Sequence, residues 1–131
     1  MRSALLSLVL LVACAHKPDP KLMITHLVVR DAASKFQAVR IIDDPDVLAR
    51  ITELWIARRA IEEEATVPVR DFHYALDIAV RREKARWLYR EDGLAMLLSP
   101  EPDVTFAVPH PSEFNALLGI PDLADPQVRA Q

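Results

Sequence analysis

Hydrophobic and polar positions alternate most regularly in residues 72–80. The apolar side chains there are Phe72, Tyr74, Leu76, Ile78 and Val80. A period of two predicts a β-strand with one face buried. A turn is predicted over residues 81–84, and a weaker alternation then covers residues 85–90. Asp92-Gly93 before residues 94–98 is typical of a tight hairpin turn. The centre of the chain is therefore predicted to be a meander of antiparallel strands.

Further elements are predicted on both sides of this meander. Stretches rich in β-branched and apolar residues predict two earlier strands over 22–30 and 36–42, and a last strand over 104–108. Asp44-Pro45-Asp46 has the residues of a helix start, namely a side-chain cap, a proline at the first position and an acid in the first turn. Apolar residues then recur at helical spacing as far as Ile61, which predicts a long helix over 45–63.

A second, short helix is predicted from Pro111 to a stop at Gly119. The order strand, strand, helix, strands, helix indicates an α+β fold. We expect a mostly antiparallel sheet of five to six strands connected in hairpins. The long helix should pack on one face of the sheet. Residues 22–120 suffice for a single domain, and the polar residues 121–131 are predicted to form a loose tail.

The amino-terminal segment has a different character from the rest of the chain. Arg2 precedes an uncharged, mostly apolar run over residues 4–13, and small Ala13 precedes the only cysteine, Cys14. This three-part arrangement predicts a secretory signal peptide over residues 1–13. Ten residues are too few for a transmembrane helix, which needs roughly 20. A buried core helix, or plain secretion with a free Cys14, are the alternatives.

Leu11-Val12-Ala13-Cys14 resembles the lipobox of bacterial lipoproteins. The resemblance implies cleavage between Ala13 and Cys14, a lipid on the Cys14 thiol and anchoring of the mature chain to a membrane. Residues 14–21 would then be the lipidated cysteine and a tether whose two prolines favour an extended conformation. Ala15 is not the aspartate linked to inner-membrane retention, which implies the outer membrane, facing the periplasm. The globular part resembles small envelope lipoproteins of unassigned role.

Composition narrows the possible functions. The formal net charge of −3 argues against nucleic acid as a partner, and two glycines leave no glycine-rich phosphate loop. With Cys14 lipidated, no cysteine remains for a disulfide or a metal thiolate. The four histidines lack metal-ligand spacing, and no nucleophile motif is present. We therefore expect no cofactor, no bound metal, no catalytic residues and no small-molecule substrate.

A basic segment over residues 81–90 is the strongest candidate for partner binding. It contains five basic residues interleaved with Trp87 and Tyr89. The residues predicted to share one strand face are Arg82, Lys84, Arg86, Leu88 and Arg90, and of these Arg82, Arg86, Leu88 and Arg90 are predicted to contact a partner. The alternative is that the two aromatic residues belong to the core while the arginines solubilise the outer face or protect a sheet edge.

Three functional hypotheses follow from these patterns, and the third of them is a surface-charge sensor or polymer binder that uses the hairpin over residues 81–90. The first is a non-enzymatic, lipid-anchored envelope protein that binds another envelope protein. It would act as an accessory subunit of a complex or as an immunity-type inhibitor of an envelope-targeting effector. The alternative is a small periplasmic hydrolase or metal-dependent enzyme that uses His73 with Asp71 and Asp77, which a period of two places on one strand face.

Overall fold

The computed structural model describes residues 18–61, 68–99 and 104–121. The predicted signal peptide, Cys14, the first part of the predicted tether and nearly all of the predicted tail lie outside these residues. Within the described ranges, no helix combines the length and apolar character needed to cross a bilayer.

The described residues form one antiparallel sheet with two helices, which confirms the α+β class. The strands are β1 (Ile24–Asp31), β2 (Gln37–Ile42), β3 (Arg59–Ile61), β4 (Tyr74–Val80), β5 (Glu83–Tyr89), β6 (Leu94–Leu97) and β7 (Thr105–Ala107). Their order across the sheet is β2-β1-β4-β5-β6-β7-β3. The sheet thus has seven strands rather than five or six. The helices are α1 (Pro45–Ile56) and α2 (Pro111–Leu118).

The prediction of a helix as far as residue 63 was too long. Helix α1 ends at Ile56, where the Arg58 amide donates to the Trp55 carbonyl at 3.2 Å. The chain then forms β3, whose residue Ile61 lies opposite Thr105 of β7. Ile61 matches the helical period by coincidence, since its strand partner is distant in the sequence and leaves no local pattern.

Local signals at the element ends are confirmed. Asp44 caps α1, with its Oδ1 accepting the Asp46 amide at 2.9 Å. Gly93 adopts a φ of +97° in the β5–β6 turn, and Gly119 adopts +78° after α2. Both are left-handed conformations that glycine adopts at low cost.

The main core lies between the sheet and the two helices. Its buried residues include Leu48 and Ile51 from α1, and Leu27 and Leu76 from the central strands. The rings of Trp55 and Trp87 meet edge to face with their centroids 4.8 Å apart. Aromatic pairs in this geometry contribute about 0.5–1.5 kcal/mol beyond their buried area.

The opposite, helix-free face of the sheet carries a smaller cluster. Phe72, Ala75, Leu88 and Met96 are buried there. The predicted alternation placed Phe72 on the same face as Tyr74, but β4 begins only at Tyr74, after a short 3₁₀ turn over Val69–Asp71. Phe72 therefore precedes the strand, and its side chain packs with the cluster on the other face.

Candidate functional site

The predicted basic patch lies on the β4–β5 hairpin, whose two-residue turn is Arg81-Arg82. The structure buries Leu88, which is 3% exposed within the cluster on the helix-free face. Leu88 is therefore inaccessible to a partner and was misassigned as a contact residue. Trp87 and Tyr89 lie in the main core, as the alternative interpretation of this segment expected.

Arg86 is engaged with Asp77, directly opposite on β4. Its Nε donates to Asp77 Oδ1 at 2.6 Å and its Nη2 donates to Oδ2 at 3.0 Å. Arg30 of β1 donates from Nε to the same Oδ2 at 2.8 Å. These hydrogen bonds, with that of Arg86 the strongest, hold the pKa of Asp77 below its ordinary value. Arg86 thus links β5 through Asp77 to β1.

Arg90 is also engaged inside the domain. Its Nε and Nη2 donate to the two carboxylate oxygens of Asp92 at 3.0 and 2.8 Å. This bidentate pair spans the turn before Gly93 and stabilises it. Of the four predicted contact residues, only Arg82 is both exposed and without an ion pair to a described residue.

The tip of this hairpin belongs to a larger basic surface that the sequence does not predict. An open depression of about 840 Å³ is lined by Lys21, Leu22 and residues 80–83. A neighbouring cavity of about 230 Å³ shares Val80 and Glu83 with it and also contains Lys84. We name the residues Lys21, Leu22, Arg81, Arg82, Glu83 and Lys84 the tether-end surface, because it includes the last residue of the predicted tether.

The cations of the tether-end surface form no side-chain ion pair with a described acid, although the Asp19 carboxylate accepts the Lys21 backbone amide at 2.9 Å. Among residues 18–61, 68–99 and 104–121, Lys21, Arg81, Arg82 and Lys84 form no ion pair. Glu83 is the single acid among the described residues that line the depression. Four cations without an ion pair to a described residue therefore lie together at this end of the sheet, while the other exposed cations of this kind, Lys35, Arg40, Arg59 and Arg70, lie elsewhere.

Arg58 lies in the wall of the smaller cavity and is held by aromatic rings. Its guanidinium carbon is 4.4 Å from the ring centroid of Trp55, 5.0 Å from that of Trp87 and 5.1 Å from that of Phe106. Nη1 donates to the Trp55 carbonyl at 2.8 Å, and the buried Nε has no hydrogen-bond partner among the described residues. Desolvation lowers the pKa of Arg58. Cation–π attraction stabilises this half-buried charge in place of a carboxylate.

The three residues of the enzyme alternative are not assembled into one site. Asp71 lies in the 3₁₀ turn before β4, while Asp77 accepts its hydrogen bonds from two arginines. His73 is paired through Nδ1 with Glu91 Oε1 at 2.7 Å. In the part of the chain that the structure describes, no group of three or more histidine, cysteine or acidic side chains is placed to hold a metal ion.

The β2 edge of the sheet is a further exposed feature. Among the described residues β2 pairs with β1 alone, and its residues from Gln37 to Ile41 are all exposed. Val39 and Ile41 are 51% and 61% exposed, respectively. The sequence signals a strand here, but it does not signal which strand is at the edge.

Comparison of this chain with protein-family models, with curated proteins and with solved structures found no significant match. The candidate surfaces therefore rest on the geometry of the chain itself. They are the tether-end surface and the β2 edge.

Proposed function

We propose that this protein is a lipid-anchored binding module of the cell envelope, without enzymatic activity. The lipobox-like Leu11–Cys14 supports an anchor at Cys14, in the outer membrane and facing the periplasm. The observation that carries the binding role is the exposed β2 edge. On this proposal, a strand of another envelope protein pairs with β2 and extends the sheet.

Several properties of β2 support this form of recognition. No strand of residues 18–61, 68–99 or 104–121 pairs with its outer side, so one row of main-chain donors and acceptors is left unpaired by these residues. Ile41 lies opposite Val28 of β1, and the two give the partner an apolar contact on the helix-free face. Edge strands that avoid association usually carry charged residues, proline, a β-bulge or a covering element, and of these β2 has an irregularity in its pairing with β1 at Val39 and a single charged residue. The one charged residue of β2 is Arg40, and its guanidinium lies over Gly119 beside α2.

The anchor and the interface can be tested separately in cells that make the full chain. Cys14→Ala should abolish incorporation of a labelled fatty acid and release the protein from the membrane fraction. Retention of the lipid or of membrane association in Cys14→Ala would contradict the anchor.

The interface is tested by crosslinking full-length protein and a Val39→Lys/Ile41→Lys variant in intact cells. The matched control is Ile56→Lys, which places a lysine at another exposed apolar residue, on α1. We expect one stoichiometric partner that the β2 variant loses and the control retains. A partner kept by both proteins, or captured by neither, would exclude the β2 edge. A one-to-one complex would identify an inhibitor, whereas co-fractionation with a large assembly would identify a subunit.

A further inference from the structure

We propose that the tether-end surface docks on phosphate-bearing headgroups of an anionic phospholipid leaflet and so fixes the orientation of the anchored domain. This inference rests on the proposed lipid anchor at Cys14. The observation behind it is that the last residue of the predicted tether, Lys21, lines the same depression as Arg81 and Arg82.

The length of the tether limits where the domain can be. The end of the predicted tether is folded onto the domain, since Pro18 is buried and Pro20–Leu22 form a 3₁₀ turn capped by Asp19. Four residue steps join Cys14 to Pro18, and these reach at most about 14 Å when fully extended. The chain enters the sheet at Ile24, which pairs with Val80 next to the Arg81-Arg82 turn. A lipid at Cys14 therefore brings this end of the sheet closest to the bilayer.

The opposite end of the sheet is much farther from the bilayer in this orientation. β1 has eight residues, and its far end, Asp31, pairs with Tyr74. Seven steps of about 3.3 Å place that end about 23 Å beyond Ile24. This distance exceeds the Debye length of about 8 Å at physiological ionic strength. The electrostatic interaction between charged side chains near Asp31 and the headgroups would therefore be largely screened.

The composition of the tether-end surface fits a lipid surface. It combines four cations that form no ion pair with a described residue, one acid, Glu83, and Leu22, whose side chain is 49% exposed; a second acid, Asp19, accepts the Lys21 amide beside it. Basic side chains beside an exposed apolar residue are typical of interfacial membrane contacts. Each Lys or Arg near an anionic leaflet is expected to raise the docked-to-undocked ratio about fivefold. Arg86 and Arg90 contribute little to this attraction, because each is paired with a carboxylate.

The test uses full-length lipidated protein, purified in detergent and reconstituted into vesicles. One set of vesicles contains only zwitterionic phosphatidylcholine, and the other adds anionic phosphatidylglycerol. A donor fluorophore is attached at Thr25→Cys, near the tether end, or at Ala33→Cys, at the far end, with an acceptor on the lipid headgroups. Both positions are exposed, and Cys14 is blocked by its lipid.

We expect energy transfer from position 25 to exceed that from position 33, and to rise when the anionic lipid is added. The Arg82→Glu/Lys84→Glu variant should lower the docked-to-undocked ratio at least about 25-fold and remove this rise. The matched charge control is Lys35→Glu/Arg70→Glu, which changes two exposed cations away from the tether-end surface and should leave the rise intact.

The outcomes separate this inference from the proposed anchor. A protein that carries lipid on Cys14 and floats with the vesicles, but gives equal transfer from both positions in both lipids, would overturn docking and leave the anchor standing. Equal loss of the signal in both charge variants would also overturn it. Protein without lipid on Cys14 would remove the anchor and the docking together. Crosslinking of the tether-end surface to an acidic protein, without approach to the bilayer, would assign these cations to a protein partner instead.

Discussion

Asp77 is the residue whose replacement most directly tests the arrangement of the helix-free face. Its carboxylate accepts two hydrogen bonds from Arg86 and one from Arg30, and its side chain is only 16% exposed. Asp77→Asn keeps one acceptor oxygen but places an amide nitrogen, a donor, against arginine donors. The variant therefore loses at least one charge-assisted hydrogen bond.

The expected cost follows from the exposure of the partners. A hydrogen bond to a charged group contributes about 1.5–3 kcal/mol. Arg30 and Arg86 are 28% and 44% exposed, so water can solvate both guanidinium groups after the substitution. We therefore expect Asp77→Asn to lower the free energy of unfolding by about 2 kcal/mol, toward the low end of this range. For a domain of this size, that corresponds to a fall in Tm of roughly 10 °C.

The assay is urea unfolding followed by the fluorescence of Trp55 and Trp87, which are both buried. The midpoint should fall by about 1 M urea with an unchanged slope. The control is Asp43→Asn, which alters an exposed carboxylate without an ion pair to a described residue and should stay within about 0.5 kcal/mol of the parent. An Asp77→Asn protein as stable as this control would refute the structural role of the Arg30–Asp77–Arg86 group.

The pH dependence gives a second check on the same residue. Because the pKa of Asp77 is lowered in the folded protein, its stabilising contribution is complete above the unfolded pKa of about 3.9. The contribution is lost as the pH falls through the folded pKa. The difference in stability between parent and Asp77→Asn should therefore be constant from pH 7 to about 5 and shrink at lower pH. A difference that persists unchanged at about pH 2 would show that the ionised carboxylate is not its cause.

Three further predictions concern single groups. Thr52→Val should lower the free energy of unfolding by about 1–3 kcal/mol in urea unfolding, because the buried Thr52 hydroxyl accepts the Ile24 amide at 3.1 Å and valine leaves that donor unpaired; stability equal to the parent would contradict this. Asp44→Ala should cost about 1 kcal/mol in the same assay, since the Asp46 amide loses its cap, whereas Asp44→Asn should retain most of it. Burial, followed by the nearby acidic charges, raises the pKa of Tyr74 to about 12, so an ultraviolet titration of parent against Tyr74→Phe should assign to Tyr74 a phenol that ionises near pH 12; ionisation near 10 would contradict it.

Local sequence rules succeed where the structure is determined by neighbouring residues. The Asp44 cap, the turn at Gly93 and the alternation of residues 74–80 each depend on contacts within a few positions. The short strand β3 was missed because its stabilising partner, β7, is distant in the sequence. The exposure of β2 was missed for a similar reason, since edge position depends on the order of all seven strands.

The ion pair between Arg86 and Asp77 was not predicted because the length of the hairpin turn was not predicted correctly. The sequence placed the turn of this hairpin loosely over residues 81–84, because neither glycine nor asparagine marks it. The structure closes it with Arg81 and Arg82 alone, and Arg81 adopts a φ of +58° without being glycine. A two-residue turn fixes the register of the hairpin, so that Asp77 falls directly opposite Arg86. Knowledge of the turn length alone would have predicted the pair.

That register also determines which basic residues remain available for function. Along the strand, Arg86 faces an acid across the sheet, and beyond the strand Arg90 reaches Asp92 in the next turn. Arg81 and Arg82 occupy the turn itself, beyond the last cross-strand pair, Val80 with Glu83. In the sequence, the basic residues over 81–90 look like a single patch. In the hairpin, Arg86 and Arg90 form ion pairs, whereas Arg81 and Arg82 form none with a described residue. In the proposed orientation, the basic residues of the tether-end surface face the lipid, and the β2 edge is accessible to a protein partner.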